Sequence, residues 1–319
     1  MLCRQSLLQK WKQNAKADLS EQQAETGAAF PEMGADMGQS STRAQVRHKQ
    51  LSDSDAMRDD DTSEKPKREP SPFRRNLGQR YTEFVDGLHQ AMAFDWYLEV
   101  GCRAGRSFAP VLGKTIAVDP YFKAEVNIIG AKPKLLIFQQ TSDDFFADNF
   151  LKKLDIQLSY SFLDGMHLFE YLLRDFINTE ANSHPKGVIA MHDCLPFGHR
   201  QLTRDLDNLP RGPWTGDVWK LLPILDRYRP DLKLTVLTCR PTGLVFVTNL
   251  DPTNTVLKDN YDQILAEWLD QDMLEFGLDK FYAIYDPLDP EEFAAAGYPI
   301  FADVRLDPNV VRKPTKVTK

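Results

Sequence analysis

Four polar side chains stand in two short clusters that could act on one bond. Asp164 and His167 lie three apart in D-G-M-H, and His192 and Asp193 are adjacent in H-D. Each cluster follows an apolar, β-type run, Ile156–Leu163 and Gly187–Met191. Two such runs in one parallel sheet end at the same edge, with neighbouring strands ~4.8 Å apart, so both carboxylates can face one site. An imidazole with an ordinary pKa of about 6.5 can take a proton from an acceptor hydroxyl. His167 fills that role, Asp164 and Asp193 can orient the acceptor, and His192 is the competing base. Two carboxylates with a histidine could instead hold Mg²⁺ or a transition metal, which lowers a bound hydroxyl's pKa. The same residues would also suit loop-capping acids with histidines packed beside them. Cys194, two after His192, could act as a nucleophile, but no further hydrolase signature accompanies it.

A second constellation is built for binding. Trp96–Ser107 reads W-Y-L-E-V-G-C-R-A-G-R-S. Trp96–Val100 is predicted as a buried parallel strand that stops at Gly101. Gly101 and Gly105 frame a tight turn, and Arg106–Leu112 predicts a short helix. Lys114–Asp119 is a second buried strand ending in a carboxylate. Asp119 follows Gly101 at close to the ~20-residue separation expected between a glycine turn and a ribose-binding acid. Glycines let the backbone approach a ligand, and a strand-end carboxylate can accept from two ribose hydroxyls. Arg103 stands where the dinucleotide fingerprint requires its second glycine, which disfavours a nicotinamide-dependent oxidoreductase.

These residues need elements to hold them. Arg74–Met92 has helical spacing at Leu77, Tyr81, Phe84, Val85, Leu88 and Met92. Lys134–Gln140 predicts a third strand, with Thr141 or Ser142 capping a helix over Asp144–Lys153. A helix over Leu168–Ala181 separates the fourth and fifth strands. Cys194–Pro213 is a long connection with three prolines and two glycines, a candidate lid or substrate-binding segment. A helix over Asp217–Tyr228 follows, then two β-type runs, Lys233–Thr238 and Leu244–Asn249, joined by R-P-T-G at 240–243. Asn254–Lys280 reads as helical.

The order E-V-G-C-R-A-G-R-S, strand-end Asp119, D-G-M-H and H-D resembles class I S-adenosylmethionine-dependent methyltransferases. F-L-D-G-M-H-L-F-E-Y-L-L-R-D-F at 162–176 and K-G-V-I-A-M-H-D-C-L-P at 186–196 are similar to the branch labelled methyltransferase domain twenty-four. The resemblance spans roughly Arg75 to Leu250. It implies an α/β fold: a doubly wound Rossmann-like seven-stranded sheet with an antiparallel last hairpin. It implies S-adenosyl-L-methionine as cofactor, with a divalent metal as an option. The turn residues Glu99, Gly101, Cys102, Arg103, Gly105 and Ser107 would lie at the methionine part, and Asp119 at the ribose. Ser142 and Asp143 would meet the adenine, although Ser-Asp-Asp is equally a good helix start. Asp164 would border the cofactor as well as the acceptor. Methyl transfer to oxygen needs an acceptor in line and a base, which assigns His167. The positive end of the following helix is expected to lower the pKa of His167 and keep it neutral. The acceptor implied is a small-molecule or sugar-like hydroxyl. A non-catalytic binding protein with the same fold is the remaining alternative.

Composition bounds the rest. The chain has 319 residues, 42% hydrophobic, enough for one sizeable core plus extensions. No run approaches the ~20 apolar residues of a membrane helix. A net charge of −7 argues against nucleic acid as the main partner. Four cysteines without a C-x-x-C pair suggest reduced thiols in a cytoplasmic protein. Residues 1–72 are polar and lack apolar period, which predicts a disordered tail. Residues 73–250 would form the methyltransferase domain. Residues 251–319 would form a helical extension that wraps the sheet or meets a second copy in a homodimer.

Overall fold

The computed structural model of the protein describes residues Ser71–Val310. The expected N-terminal tail, but for its last two residues, and the basic terminus lie outside the described residues. Eight strands form one sheet: β1 (Trp96–Val100), β2 (Lys114–Val118), β3 (Leu135–Phe138), β4 (Leu158–Leu163), β5 (Ser183–His192), β6 (Lys233–Leu237), β7 (Leu244–Thr248) and β8 (Pro287–Leu288). Their order is β3-β2-β1-β4-β5-β7-β6-β8. β1 to β5 pair in parallel, and β7 runs antiparallel to both β5 and β6. This is the doubly wound, Rossmann-like sheet with an antiparallel last hairpin that the sequence implied. β8, from the C-terminal segment, adds an eighth strand beside β6.

The strands are apolar on both faces because both faces are covered. Leu98, Val100, Ile116, Val118, Ile189 and Met191 enter one core with Phe169, Leu172 and Phe176 of helix α4 (Phe169–Glu180). Tyr97, Ala117, Tyr160 and Phe162 enter the other, with Phe84, Val85 and Leu88 of helix α1 (Tyr81–Ala91). The C-terminal segment contributes to both: Ile264, Trp268 and Phe281 to the first, Phe293 and Phe301 to the second.

Chain direction sets the position of the site. From β1 the chain winds outward to β2 and β3, then returns to β4 on the other side of β1. The carboxyl ends of β1 and β4 therefore flank a topological switch point, the place where open α/β sheets bind ligands.

Several local expectations give way to tertiary structure. Arg106–Leu112 forms turns rather than a helix. Pro110 lacks a backbone donor, and the Ser107 hydroxyl is drawn inward to Glu99. The helix expected over Asp144–Lys153 is two helices, α2 (Ser142–Ala147) and α3 (Phe150–Lys153), broken at Asn149, whose φ is +52°. Thr141 supplies the cap by accepting from the Asp144 amide. Asn254–Lys280 is four short helices: α6 (Val256–Asp259), α7 (Tyr261–Trp268), α8 (Met273–Phe276) and α9 (Leu278–Tyr282). Asp217–Tyr228 splits into a 3₁₀ turn and α5 (Leu221–Tyr228), and α10 (Pro290–Ala295) follows β8. Among the described residues, no helix is long and apolar enough to cross a membrane.

Candidate active site

The pairing of β4 with β5 sets Leu163 opposite Met191, so the residues that follow emerge side by side. Asp193 turns back with φ at +60°, a left-handed conformation that Asp tolerates better than most residues. The Thr242 hydroxyl, on the β6–β7 turn, donates to Asp193 Oδ1. The four groups meet. His167 Nε2 lies 3.3 Å from Asp164 Oδ1 and 3.3 Å from Asp193 Oδ2. His192 Nδ1 lies 3.3 Å from Asp164 Oδ1 and 3.4 Å from Asp193 Oδ1. Each imidazole thus contacts both acids.

This geometry overturns the expected neutral His167. Burial disfavours a charged ring, but the Asp193 and Asp164 carboxylates and the Trp214 carbonyl outweigh it and push its pKa up to about 9. His192 is pushed up to about 10 by the same two acids against the same burial. Burial would raise Asp164, but His192 and His167 hold it well below the usual carboxylate range. A full charge at contact distance outweighs the partial charge of a helix end. That helix end is also already occupied, because Asp217 Oδ1 accepts from the Phe169 amide at 2.9 Å.

Aromatic rings cover both histidines. The Tyr81 ring centroid is 3.9 Å from that of His192. The Trp214 ring stacks on His167 at 4.9 Å, with 29° between the planes. The Trp214 carbonyl accepts from His167 Nδ1 at 2.5 Å, which leaves Nε2 facing the acids. His192 Nε2 is buried with no hydrogen-bond partner. Tyr81, Trp214, Asp217 and Thr242 carry no chemical signature in the sequence. Only the Pro/Gly-rich connection before Trp214 marks its neighbourhood as functional. Cys194 Sγ is buried and donates to the His192 carbonyl at 3.4 Å; burial and Asp193 push its thiol up, the opposite of an activated nucleophile.

The binding constellation has a different character. Asp119 Oδ2 accepts from the Arg103 amide at 2.8 Å and Oδ1 from the Tyr121 amide at 2.6 Å. Each oxygen retains acceptor capacity for a further donor. Burial raises the Asp119 pKa, and these two bonds oppose that. Glu99 is fully buried and accepts from the Tyr97 and Ser107 hydroxyls, both at 2.5 Å. Burial pushes its pKa up to about 8 despite those bonds. Cys102 is buried and donates to the Glu99 carbonyl, and the Gly105 amide donates to the Cys102 carbonyl at 2.7 Å. Glu99, Cys102 and Ser107 brace the turn from inside, while Arg103 lies exposed. Asp143 is gripped by Arg174 through two bonds of 2.9 and 2.7 Å, and Arg174 also donates to the Tyr261 hydroxyl at 2.7 Å. Ser142 bonds to the buried Asp175. Both residues expected at the adenine therefore have partners within the protein.

The donor set also fits a divalent cation. Asp164, His167 and Asp193 each offer one ligand atom, all within 4.8 Å of one another.

No protein-family model matches the chain, and no curated protein sequence matches it. Among solved structures, an O-methyltransferase from Bacillus cereus in complex with SAH shares 14% identity over 52% of this chain and 79% of its own, with a TM-score of 0.36. The O-methyltransferase TomG from Streptomyces achromogenes, in complex with SAM, shares 15% over 53% and 78%, at 0.36. A putative rRNA-methylase from Clostridium thermocellum shares 12% over 55% and 98%, at 0.39. Likeness at this level assigns no activity to the chain.

Proposed function

We propose that this chain is an S-adenosylmethionine-dependent methyltransferase acting on the hydroxyl of a small or sugar-like molecule, with His167 as the general base. The observation that carries the reading is the quartet: two histidines, each touching the same two acids, at the sheet edge beside the Gly101 turn. The cofactor would lie over the ends of β1 and β2, its ribose on the remaining acceptor capacity of Asp119. The acceptor would sit over Asp164 and Asp193. Its oxygen attacks the methyl carbon, the carbon–sulfur bond breaks toward a neutral thioether, and the hydroxyl proton passes to His167 Nε2. The free ring holds its Nε2 proton on these carboxylates; as the acceptor's hydroxyls engage them, that proton would leave to solvent, and the vacated Nε2 would then receive the hydroxyl proton. In the alternative with a divalent cation, Asp164, His167 and Asp193 would hold the ion, His167 would be a ligand rather than the base, and the ion would supply charge that acidifies an acceptor hydroxyl.

Calorimetry with S-adenosylmethionine, S-adenosylhomocysteine and NAD tests the cofactor. Binding of NAD alone would establish the oxidoreductase alternative. A panel of hydroxyl acceptors with labelled methyl donor, with an RNA transcript alongside, tests the reaction. His167→Ala should cut turnover ~10²–10⁴-fold with cofactor affinity nearly unchanged, and His192→Ala measures the competing base. Full turnover in His167→Ala sinks the base assignment, and turnover indifferent to a chelator sinks the metal option. Cofactor binding without turnover on any acceptor would favour a binding protein.

A further inference from the structure

His167 owes its orientation to a segment with no part in the chemistry. The Trp214 carbonyl accepts a hydrogen bond from His167 Nδ1–H, and the Trp214 ring stacks on the imidazole face. Three residues on, the Asp217 amide donates to the His167 carbonyl at 3.2 Å. Between them, Gly216 has φ at +52°, and a β carbon there would lie 1.6 Å from the His167 carbonyl oxygen. The backbone of 214–217 is thus moulded to both ends of the His167 residue.

That segment is pinned by buried charges. Asp217 Oδ1 caps α4, while Oδ2 accepts from Arg204 Nη1 at 2.5 Å and Lys220 Nζ at 2.8 Å. Arg204 comes from the long connection after β5. It grips Glu170 of α4 through bonds of 3.0 and 2.6 Å. Glu170 and Asp217 are buried, and Arg204 is 29% exposed at its side chain. The fork of Arg204 therefore ties the connection, the first turn of α4 and the 214–217 backbone into one unit. A planar guanidinium can do this, and a lysine ammonium cannot reproduce the two parallel bonds.

We propose that Asp217 and Arg204 are positioning residues for His167, fixing which ring nitrogen faces the acids and where the ring sits. This rests on His167 being the base of the proposed methyl transfer. The opposite end of α4 supplies a control. There Glu180 receives two bonds from Arg229, at 2.6 and 2.9 Å, away from the site.

The test uses the full chain with ¹⁵N-labelled histidine. The His167 Nδ1–H resonance is identified by its loss in His167→Ala. It should lie downfield and exchange slowly because of the short bond to Trp214. Arg204→Gln and Asp217→Asn should displace or abolish it, and turnover on any acceptor found should fall at least tenfold with S-adenosylhomocysteine affinity within about twofold. Arg229→Gln should destabilise the protein and leave the resonance in place. Arg204→Lys should move it partway. An unmoved resonance in folded Arg204→Gln overturns the proposal. If that variant does not fold, Arg204→Lys decides by the same reading: a moved signal supports positioning, an unmoved one overturns it. The resonance needs neither cofactor nor acceptor, so failure of S-adenosylmethionine binding would count against the methyltransferase reading alone.

Discussion

Gly101 packs against the backbone of Asp164 so closely that a β carbon on it would lie 1.9 Å from the Asp164 carbonyl oxygen. Its φ is +90°, and the Asp164 amide donates to Val100 at 2.9 Å. The Gly101 turn and Asp164 are therefore in backbone contact across the switch point. Gly101→Ala combines steric overlap with a disfavoured φ. It should lower the melting temperature by about 5 °C or more and abolish measurable S-adenosylmethionine binding. A variant that melts and binds like the parent would show that the two loops are not coupled.

Asp119 is expected to bind ribose while tying down the amides of Arg103 and Tyr121. Charge-assisted hydrogen bonds are worth about 1.5–3 kcal/mol each. Asp119→Ala should weaken cofactor binding at least tenfold by calorimetry while the fold persists. Unchanged affinity would remove Asp119 from the cofactor site.

Thr242 is fully buried and donates to Asp193. Thr242→Val keeps the shape and removes the donor. It should cost on the order of 1.5–3 kcal/mol in denaturant unfolding and lower turnover more than cofactor affinity. Parental stability and turnover would show that the histidines alone hold Asp193.

His89 offers a test by pH, away from the site. Its ring is fully buried among Phe94, Tyr97 and Tyr160, and both nitrogens lack hydrogen-bond partners. Burial first, then Lys132, lowers its pKa from 6.5 to about 3. Below pH 6.5 the unfolded chain takes up a proton that the folded chain refuses until about pH 3. Stability is therefore lost as pH falls through that window. His89→Phe should lessen the stability lost between pH 7 and pH 5 by on the order of 2 kcal/mol. Equal acid sensitivity in both proteins would mean that the ring is protonated where it sits.

Much of this architecture is legible in the chain because strand endings carry it. Apolar runs stopped by Gly101, Asp119, Asp164 and His192 mark the carboxyl edge, and parallel pairing brings Asp164, His167, His192 and Asp193 together. The partners those residues acquire are not legible. Tyr81 reads as one apolar position of a helix, yet its ring covers His192. Asp143 reads as an adenine contact or as part of a helix start, yet Arg174 of α4 holds it through two bonds. The sequence places Asp164 and Asp193 at one site with His167 but not how near the ring they stand; at 3.3 Å from Nε2 both outweigh the helix end. The helix expected over Asn254–Lys280 breaks at Asn260, over 269–272 and at Gly277.

β8 pairs with β6 through Val236↔Pro287 and Leu237↔Leu288. During synthesis, β6 therefore stands as a bare strand edge until a segment about 50 residues downstream has emerged, an interval of roughly 2.5–10 s at ~5–20 residues per second. An uncovered edge of this kind invites pairing with another nascent chain. Closure of this edge thus waits on chain made well after β6, and truncation before Pro287 is expected to leave β6 uncovered and open to intermolecular pairing.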